Sequence, residues 1–102
     1  MNEYAFTSMV IDLCRDNDLM VHHVTDSRYT QGSAGFPDLV IMGKYNILFA
    51  ELKLEQGELS SGQKKWAYGL IALAGDPSPV NYEIWTPADL ESGKIARVLS
   101  WT

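Results

Sequence analysis

Two acidic residues and a lysine lie close together in one part of this 102-residue chain. Asp38 ends the segment Gly-Phe-Pro-Asp at residues 35–38, and Glu51 and Lys53 follow in the segment Glu-Leu-Lys. Two carboxylates held side by side repel each other and resist burial, and a divalent cation relieves both penalties. Carboxylate oxygens suit Mg²⁺ or Mn²⁺, with water and a phosphate group completing the coordination. A neighbouring lysine could then orient an attacking water or stabilise charge on a phosphate.

The residues around these groups predict a β-hairpin. Residues 38–42 and 46–50 are apolar runs rich in β-branched side chains, which is typical of buried strands, and a short turn separates them. If the loop has two residues, 44–45, or four, Asp38 lies directly opposite Glu51 on one face of the hairpin. Side chains alternate along a strand, so the lysine shares that face. A three-residue loop would shift this register.

The two faces of the second strand differ in polarity. One face begins with Ile47 and Phe49 and is then interrupted by the acid and the lysine. The other face is predicted to be apolar without interruption, at Leu48, Ala50, Leu52 and Leu54. A structural ion pair at a strand end is the simpler interpretation of each charged residue alone. The combination of the charged residues with the segment 35–38 favours a metal-assisted site.

Composition limits the class of protein. A length of 102 residues fits one domain, 1–102, and a hydrophobic content of 46% supports a core. No run approaches the ~20 apolar residues of a membrane span, and no basic segment precedes an apolar one at the N terminus. We therefore expect a soluble, cytoplasmic protein, or one of the host cytoplasm if the source is viral. The lone Cys14 excludes an intramolecular disulfide, and its place on an apolar helical stripe predicts a core position.

The net charge of −5 at pH 7 argues against nucleic-acid binding by simple electrostatic attraction. Bound cations would weaken this objection, since two Mg²⁺ ions would bring the net charge from −5 to −1. Whether the eight lysines and arginines gather on one face cannot be read from the sequence.

Two helices are predicted to flank the hairpin. Residues 3–16 have apolar side chains at helical spacing, and Glu3 falls near the first turn on the buried side. Glu3 is interpreted equally well as an acid favoured at a helix N-terminus and as a third acid directed at the site. Ser60 and Gln63 predict a capping box at the start of the second helix, where Gln63 could cap the helix or reach the site. The buried stripe of that helix is predicted at Trp66, Leu70 and Leu73.

The segments before the hairpin add weaker candidates. In a first strand at residues 19–24, His22 and His23 point to opposite faces, so at most one faces the site, and an ordinary hydrogen-bonded role is favoured. The polar loop 25–34 contains Arg28 and Tyr29, which are candidate contacts to a nucleic-acid backbone and base. An ordinary solvated loop explains these two residues equally well.

The remaining segments complete an α/β order. Residues 80–85 predict a fourth strand, and Thr86 followed by Pro87 predicts a short capped helix. Residues 94–101 are ambiguous between strand and helix. The order is therefore α-β-β-β-α-β, and a fourth strand reached through a helix can pair in parallel, which gives a mixed central sheet flanked by helices.

This order and the residues within it resemble the VRR-NUC family of the PD-(D/E)xK nuclease superfamily, and in particular its small stand-alone, virus-type members. The resemblance covers roughly residues 3–86 and implies a restriction-endonuclease-like fold. It is carried by Glu3, the segment 35–38, the segment 51–53, and Gln63 ahead of Trp66.

The resemblance implies a Mg²⁺- or Mn²⁺-dependent deoxyribonuclease. By position, Asp38 and Glu51 would bind the metal with the backbone carbonyl of Leu52, and Glu3 would hold a further ligand or its water. Lys53 would be the catalytic lysine, and Gln63 would support the site. The candidate DNA contacts are Arg28, Ser33, Lys64 and Lys65.

The stand-alone members of the family also imply a partner and a substrate. They tend to be homodimers that cut branched DNA such as four-way (Holliday) junctions, so we expect a homodimer that acts on DNA without a membrane. Two alternatives remain. One is a site-specific endonuclease of restriction or homing type, and the other is a non-catalytic nucleic-acid-binding module on the same fold.

Overall fold

A computed structural model of the chain describes residues 1–24, 31–54, 58–75 and 78–102. The predicted order α-β-β-β-α-β is confirmed, and the ambiguous tail is helical. Within these residues, none of the helices has the length and apolar character needed to span a membrane. The elements are α1 (Glu3–Asp16), β1 (Met20–His23), β2 (Leu39–Met42), β3 (Ile47–Leu52), α2 (Ser61–Leu73), β4 (Val80–Trp85), α3 (Pro87–Glu91) and α4 (Lys94–Trp101).

The strands of the described residues form one mixed sheet in the order β1-β2-β3-β4. The pairs β1/β2 and β2/β3 are antiparallel, and β3/β4 is parallel. The parallel pairing follows from the crossover through α2, which returns the chain to the same end of the sheet before β4 begins. The chain is therefore an α/β protein with a four-stranded mixed sheet.

The hydrophobic core lies between one face of the sheet and the helices α1 and α4. Alternate residues of β2 and β3 point into it, because side chains of a strand alternate between faces. Cys14 is fully buried, which confirms its predicted core position, and this burial raises the pKa of its thiol to about 11. The apolar face predicted for β3 ends at Leu52, since Leu54 is 42% exposed. The core side chains include Phe6, Val10, Cys14, Leu39, Ile41, Leu48, Ala50, Ile95 and Leu99.

Helix α2 covers the opposite face of the sheet. Its buried side chains are Ala67 and Leu70, whereas Leu73 is 65% exposed, so the stripe predicted from the sequence is wrong at its C-terminal end. The buried stripe instead follows Gln63, Ala67, Leu70 and the half-buried Ala74. The small side chain of Ala67 is buried, whereas the larger apolar side chains of Ile71 and Leu73 are exposed.

The β2–β3 hairpin has the predicted register. Leu39 pairs with Ala50, and Met42 pairs with Ile47. The Gly43 N–H donates to the Asn46 carbonyl at 2.9 Å, which closes the two-residue loop 44–45. One step beyond the last strand pair, this register places Asp38 opposite Glu51.

Candidate active site

The open end of the hairpin brings two carboxyl groups side by side. Gly43 and Asn46 form a hydrogen-bonded pair, and pair types alternate along an antiparallel ladder, so Asp38 and Glu51 form a non-hydrogen-bonded pair. In such pairs the side chains approach each other most closely. The backbone carbonyl of Asp38 faces the other way and accepts from the Val24 N–H at 2.9 Å. The ladder therefore fixes both acids before any ligand is considered.

Pro37 interrupts the ladder at its next step. The alternation makes Pro37 and Leu52 the next hydrogen-bonded pair, but proline has no N–H to donate to the Leu52 carbonyl. The Leu52 N–H donates to Oδ2 of Asp38 at 2.8 Å, and the Lys53 N–H donates to the Trp85 carbonyl at 2.9 Å. The C=O and N–H of a trans peptide point in opposite directions, so the Leu52 carbonyl points away from β4. It is directed to the side where Pro37 offers no hydrogen bond.

Glu51 is a buried acid, with 3% of its surface exposed. Burial raises the pKa of its carboxyl from 4.5 to about 8, and a hydrogen bond to Asp38 and the charge of Asp38 act in the same direction. The charge of Lys53 lowers this pKa in part, and that of Glu3 raises it. The protonated form of Glu51 is therefore favoured while no cation lies beside it.

Gln63 links the lysine, the buried acid and the start of α2. Its amide oxygen Oε1 accepts from the Ser60 N–H at 2.8 Å and from Nζ of Lys53 at 3.0 Å. Its amide nitrogen Nε2 donates to Oε1 of Glu51 at 3.2 Å. The Ser60 hydroxyl accepts from the Gln63 N–H at 3.2 Å, which confirms the predicted capping box. The two roles predicted as alternatives for Gln63 are therefore performed together.

The lysine does not form the direct ion pair that the simplest interpretation of the sequence suggests. Among the described residues, Lys53 bonds to the amide oxygen of Gln63 and is not paired with Asp38 or Glu51. An ammonium group held by a neutral amide keeps donors for another ligand, since it carries three N–H bonds.

These groups meet around a cavity of about 280 Å³. Asn2 caps α1 by accepting the Ala5 N–H at 2.8 Å, and this places Glu3 at the first position of the helix, exposed at the rim. The five residues predicted to be catalytic therefore line one cavity, together with Leu52. They are Glu3, Asp38, Glu51, Lys53 and Gln63.

The donor set of this cavity suits a hard cation. In the ranges 1–24, 31–54, 58–75 and 78–102, no group of three or more His, Cys, Asp and Glu side chains is arranged to hold a metal ion. Asp38, Glu51 and the Leu52 carbonyl offer oxygen donors, with Glu3 farther out. Mg²⁺ keeps several waters and uses one or two carboxylates, so it fits this set, whereas zinc requires three or four protein ligands.

Two glycines hold the acid-bearing loop against α2. A Cβ atom on Gly35 would lie 2.2 Å from the Gly62 carbonyl carbon and 2.3 Å from the Gln63 nitrogen. A Cβ on Gly62 would lie 2.6 Å from the Ala34 carbonyl oxygen, and Gly35 has a φ of +91°. Because backbone contacts backbone here, the segment carrying Asp38 and the helix carrying Gln63 are fixed relative to each other.

The sequence did not predict that Tyr82 lies near the two acids, and it did not decide which histidine lies near the site. Tyr82 pairs with Phe49 in the parallel ladder, and burial followed by the charges of Glu51 and Asp38 raises the pKa of its hydroxyl to about 12. Only the register of β4 could have located it, and no local signal sets that register. His22 is exposed, whereas His23 is half-buried and lines an adjoining cavity with Glu3 and Asp38.

The predicted DNA contacts lie in different settings. Lys64 and Lys65 are exposed in the first five residues of α2. Ser33 is exposed, and its carbonyl accepts from the indole N–H of Trp66 at 3.3 Å. Arg28 and its neighbour Tyr29 lie outside the described residues.

Comparison of the chain with protein-family models, with curated proteins and with solved structures found no match. The resemblance to a nuclease family therefore rests on the residues of this chain alone.

Proposed function

We propose that this protein is a Mg²⁺- or Mn²⁺-dependent deoxyribonuclease of the VRR-NUC type, with the PD-(D/E)xK fold. The observation that carries the proposal is the buried Glu51 beside the half-buried Asp38, in one cavity with Lys53 and a Leu52 carbonyl that Pro37 leaves without a ladder partner. A cluster with a purely structural role would need none of these features, since a buried carboxylate next to a second one destabilises the fold unless a cation or proton accompanies them.

Each residue has a distinct role in the proposed reaction. Asp38, Glu51 and the Leu52 carbonyl would hold the cation, with Glu3 positioning a water at the rim. A cation held there would supply Lewis-acid stabilisation of negative charge on the phosphate. Lys53 directs its ammonium at the attacking water or at a phosphate oxygen, while Gln63 holds that ammonium and the Glu51 carboxylate in fixed relation.

The proposed substrate is branched DNA, such as a four-way junction, and the proposed active form is a homodimer. One chain carries one site, and cutting two strands requires two sites related by symmetry. A site-specific endonuclease and a non-catalytic nucleic-acid-binding module are the competing functions.

A cleavage panel tests the proposed function. Duplex, single-stranded, flapped, forked and four-way-junction DNA are incubated with Mg²⁺ or Mn²⁺, and products are resolved on denaturing gels. We expect cleavage that favours branched DNA, and we expect Lys53→Ala to slow it by about 100-fold or more. Lys44→Ala is the matched control, because Lys44 is an exposed lysine at the far end of the same hairpin.

The competing functions give different results in this panel. Full activity of Lys53→Ala would reject the proposed mechanism. Cutting of random duplex at defined positions, with no advantage for a junction, would favour a site-specific enzyme. Binding of DNA without cleavage of any substrate would favour the non-catalytic module.

A further inference from the structure

A larger cavity, of about 660 Å³, adjoins the candidate active site. It shares Asp38 and Gln63 with the site and extends beneath the loop 31–35 to the rings of Phe36 and Trp66. Its volume lies within the range of about 300–1,000 Å³ that is typical of small-molecule sites. Because the same two polar side chains line both cavities, a ligand held at the carboxylates would continue directly into the larger one.

The aromatic wall of this cavity is ordered by its own contacts. The rings of Phe36 and Trp66 have centroids 4.9 Å apart at an interplanar angle of 82°. Phe36 meets Phe49 in a similar edge-to-face arrangement, at 6.0 Å and 85°. The bond from the Trp66 indole N–H to the Ser33 carbonyl further fixes the indole plane. Edge-to-face contacts use the edge of one ring and the face of the other, so ring surface remains to stack on a planar ligand.

Trp66 also borders a second large cavity, of about 650 Å³, on the side of α2. Ser33 and Ala34 line both large cavities, and Lys65 lines the second one. The indole is half-buried, so it lies between two open spaces rather than inside the core. A planar ring beside an exposed lysine suits a ligand that carries both a flat base and a phosphate.

We propose that the cavity walled by Phe36 and Trp66 binds an unstacked nucleobase of the DNA strand whose phosphate occupies the carboxylate site. The inference rests on the proposed nuclease function and deepens it by naming the feature that the enzyme recognises. A base must leave the helical stack to reach these rings, and the cost of extrusion is smallest at junctions, flaps and strand ends. Stacking on an aromatic side chain tightens binding by about 5- to 150-fold per base, and every base has a face that can stack. Preference for branched DNA then follows from the cavity, without readout of sequence.

Tryptophan fluorescence of the Lys53→Ala chain, with Ca²⁺ present, tests this site. The probes are a 12-nucleotide oligo(dT) and an oligonucleotide of the same length with central abasic residues. We expect oligo(dT) to quench fluorescence and to bind at least about 5-fold more tightly than the abasic probe. The added substitution Trp66→Phe should remove the quench, whereas Trp101→Phe should retain it, because Trp101 is 72% exposed on α4.

The outcomes separate the base site from the nuclease function. Equal affinity for the two probes, or a quench that persists in Trp66→Phe, would overturn the base site, and this comparison of probes needs no folded Trp66 variant. Quenching by free thymidine monophosphate at the same affinity would also overturn it, in favour of a mononucleotide site. Cleavage of DNA by the unaltered protein in either case would leave the nuclease function standing. Failure to bind or cut any DNA would reject both.

Discussion

At the scale of single residues, the surroundings of Glu51 disfavour the charged form of its carboxyl group. Burial, and then Asp38, raise its pKa from 4.5 to about 8. Since the folded pKa lies above the unfolded one, the folded chain binds more protons between these two values. The stabilising contribution of protonated Glu51 is therefore complete below about pH 4.5 and is lost as the pH rises through about 8. A divalent cation that replaces the proton would restore stability at the upper end of this window.

We expect the metal-free protein to lose free energy of unfolding between about pH 5 and pH 8, and Glu51→Gln to lose much less of it. Glutamine keeps the size of the side chain but does not ionise. Urea unfolding in EDTA measures this difference, and Mg²⁺ in place of EDTA at about pH 8 should stabilise the unaltered chain but not Glu51→Gln.

Glu83→Gln is the control for this experiment. Burial also raises the pKa of Glu83, which lies in β4, so its replacement should alter the pH profile and leave the Mg²⁺ response intact. The same pH dependence in Glu51→Gln and in the unaltered chain would contradict the assignment.

The residue types at the site could be predicted, and so could the capping bonds of Gln63, but the bonds from α2 to the sheet could not. Asp38, Glu51 and Lys53 come together through alternation and a short loop, and both are local properties of the sequence. The bonds from Gln63 to Lys53 and Glu51 depend on how α2 docks on the sheet, and the proximity of Tyr82 depends on the register of β4. Both are set by long-range packing, which no short segment of the sequence determines.

At the scale of the elements, the β2–β3 hairpin ends in a backbone carbonyl that is free of the ladder and open to a ligand. Pro37 is fully buried and ends the ladder beside the Leu52 carbonyl. Pro37→Ala would provide an N–H that can bond this carbonyl and extend the ladder by one step. We expect the Mg²⁺ affinity, measured by the shift in melting temperature, to fall on the order of tenfold. The metal-free stability should fall by about 1–3 kcal/mol, because alanine leaves part of the buried volume of Pro37 empty and frees the unfolded chain from the restraint of proline.

Pro79→Ala provides the matched comparison for Pro37→Ala. Pro79 is an exposed proline whose carbonyl accepts the Ile47 N–H, and that bond survives the substitution. An unchanged Mg²⁺ response in Pro37→Ala, or an equal loss in Pro79→Ala, would show that the open carbonyl is not a ligand.

Local signals account for the elements that the sequence predicted best. Helix α1 and strand β4 have the predicted bounds, because caps and apolar spacing mark them within a few residues. The predicted stripe of α2 is wrong because the small Ala67 is buried and the larger Leu73 is exposed. Helix α4 was ambiguous in the sequence, and the packing of Ile95 and Leu99 into the core decides its conformation.

At the scale of the whole molecule, the charge opposes the proposed substrate. The chain has thirteen acidic and eight basic residues, and DNA repels a protein of net charge −5. The acids at the site add to this repulsion at the point where a phosphate must approach. Lys64 and Lys65 lie near the start of α2, on the helix that also presents Gln63 and Trp66, so they offset the repulsion only locally.

DNA binding should therefore require a divalent cation. With the inactive Lys53→Ala chain and a four-way junction, we expect binding at least about tenfold tighter in Mg²⁺ than in EDTA at equal ionic strength. The added substitution Asp38→Asn should abolish this difference. Fluorescence anisotropy of a labelled junction measures both affinities.

A second charge-neutralising change separates the metal from simple electrostatics. Asp12 is an exposed acid on α1, and Asp12→Asn alters the net charge by the same amount as Asp38→Asn. If charge alone governs binding, both changes tighten it and both leave the response to Mg²⁺ unaltered. If Asp38 holds a cation that bridges to the phosphate, only Asp38→Asn removes that response. Equal affinities in Mg²⁺ and EDTA before any change at Asp38 would reject the bridging cation, because an anionic site without it has no means of attracting the phosphate.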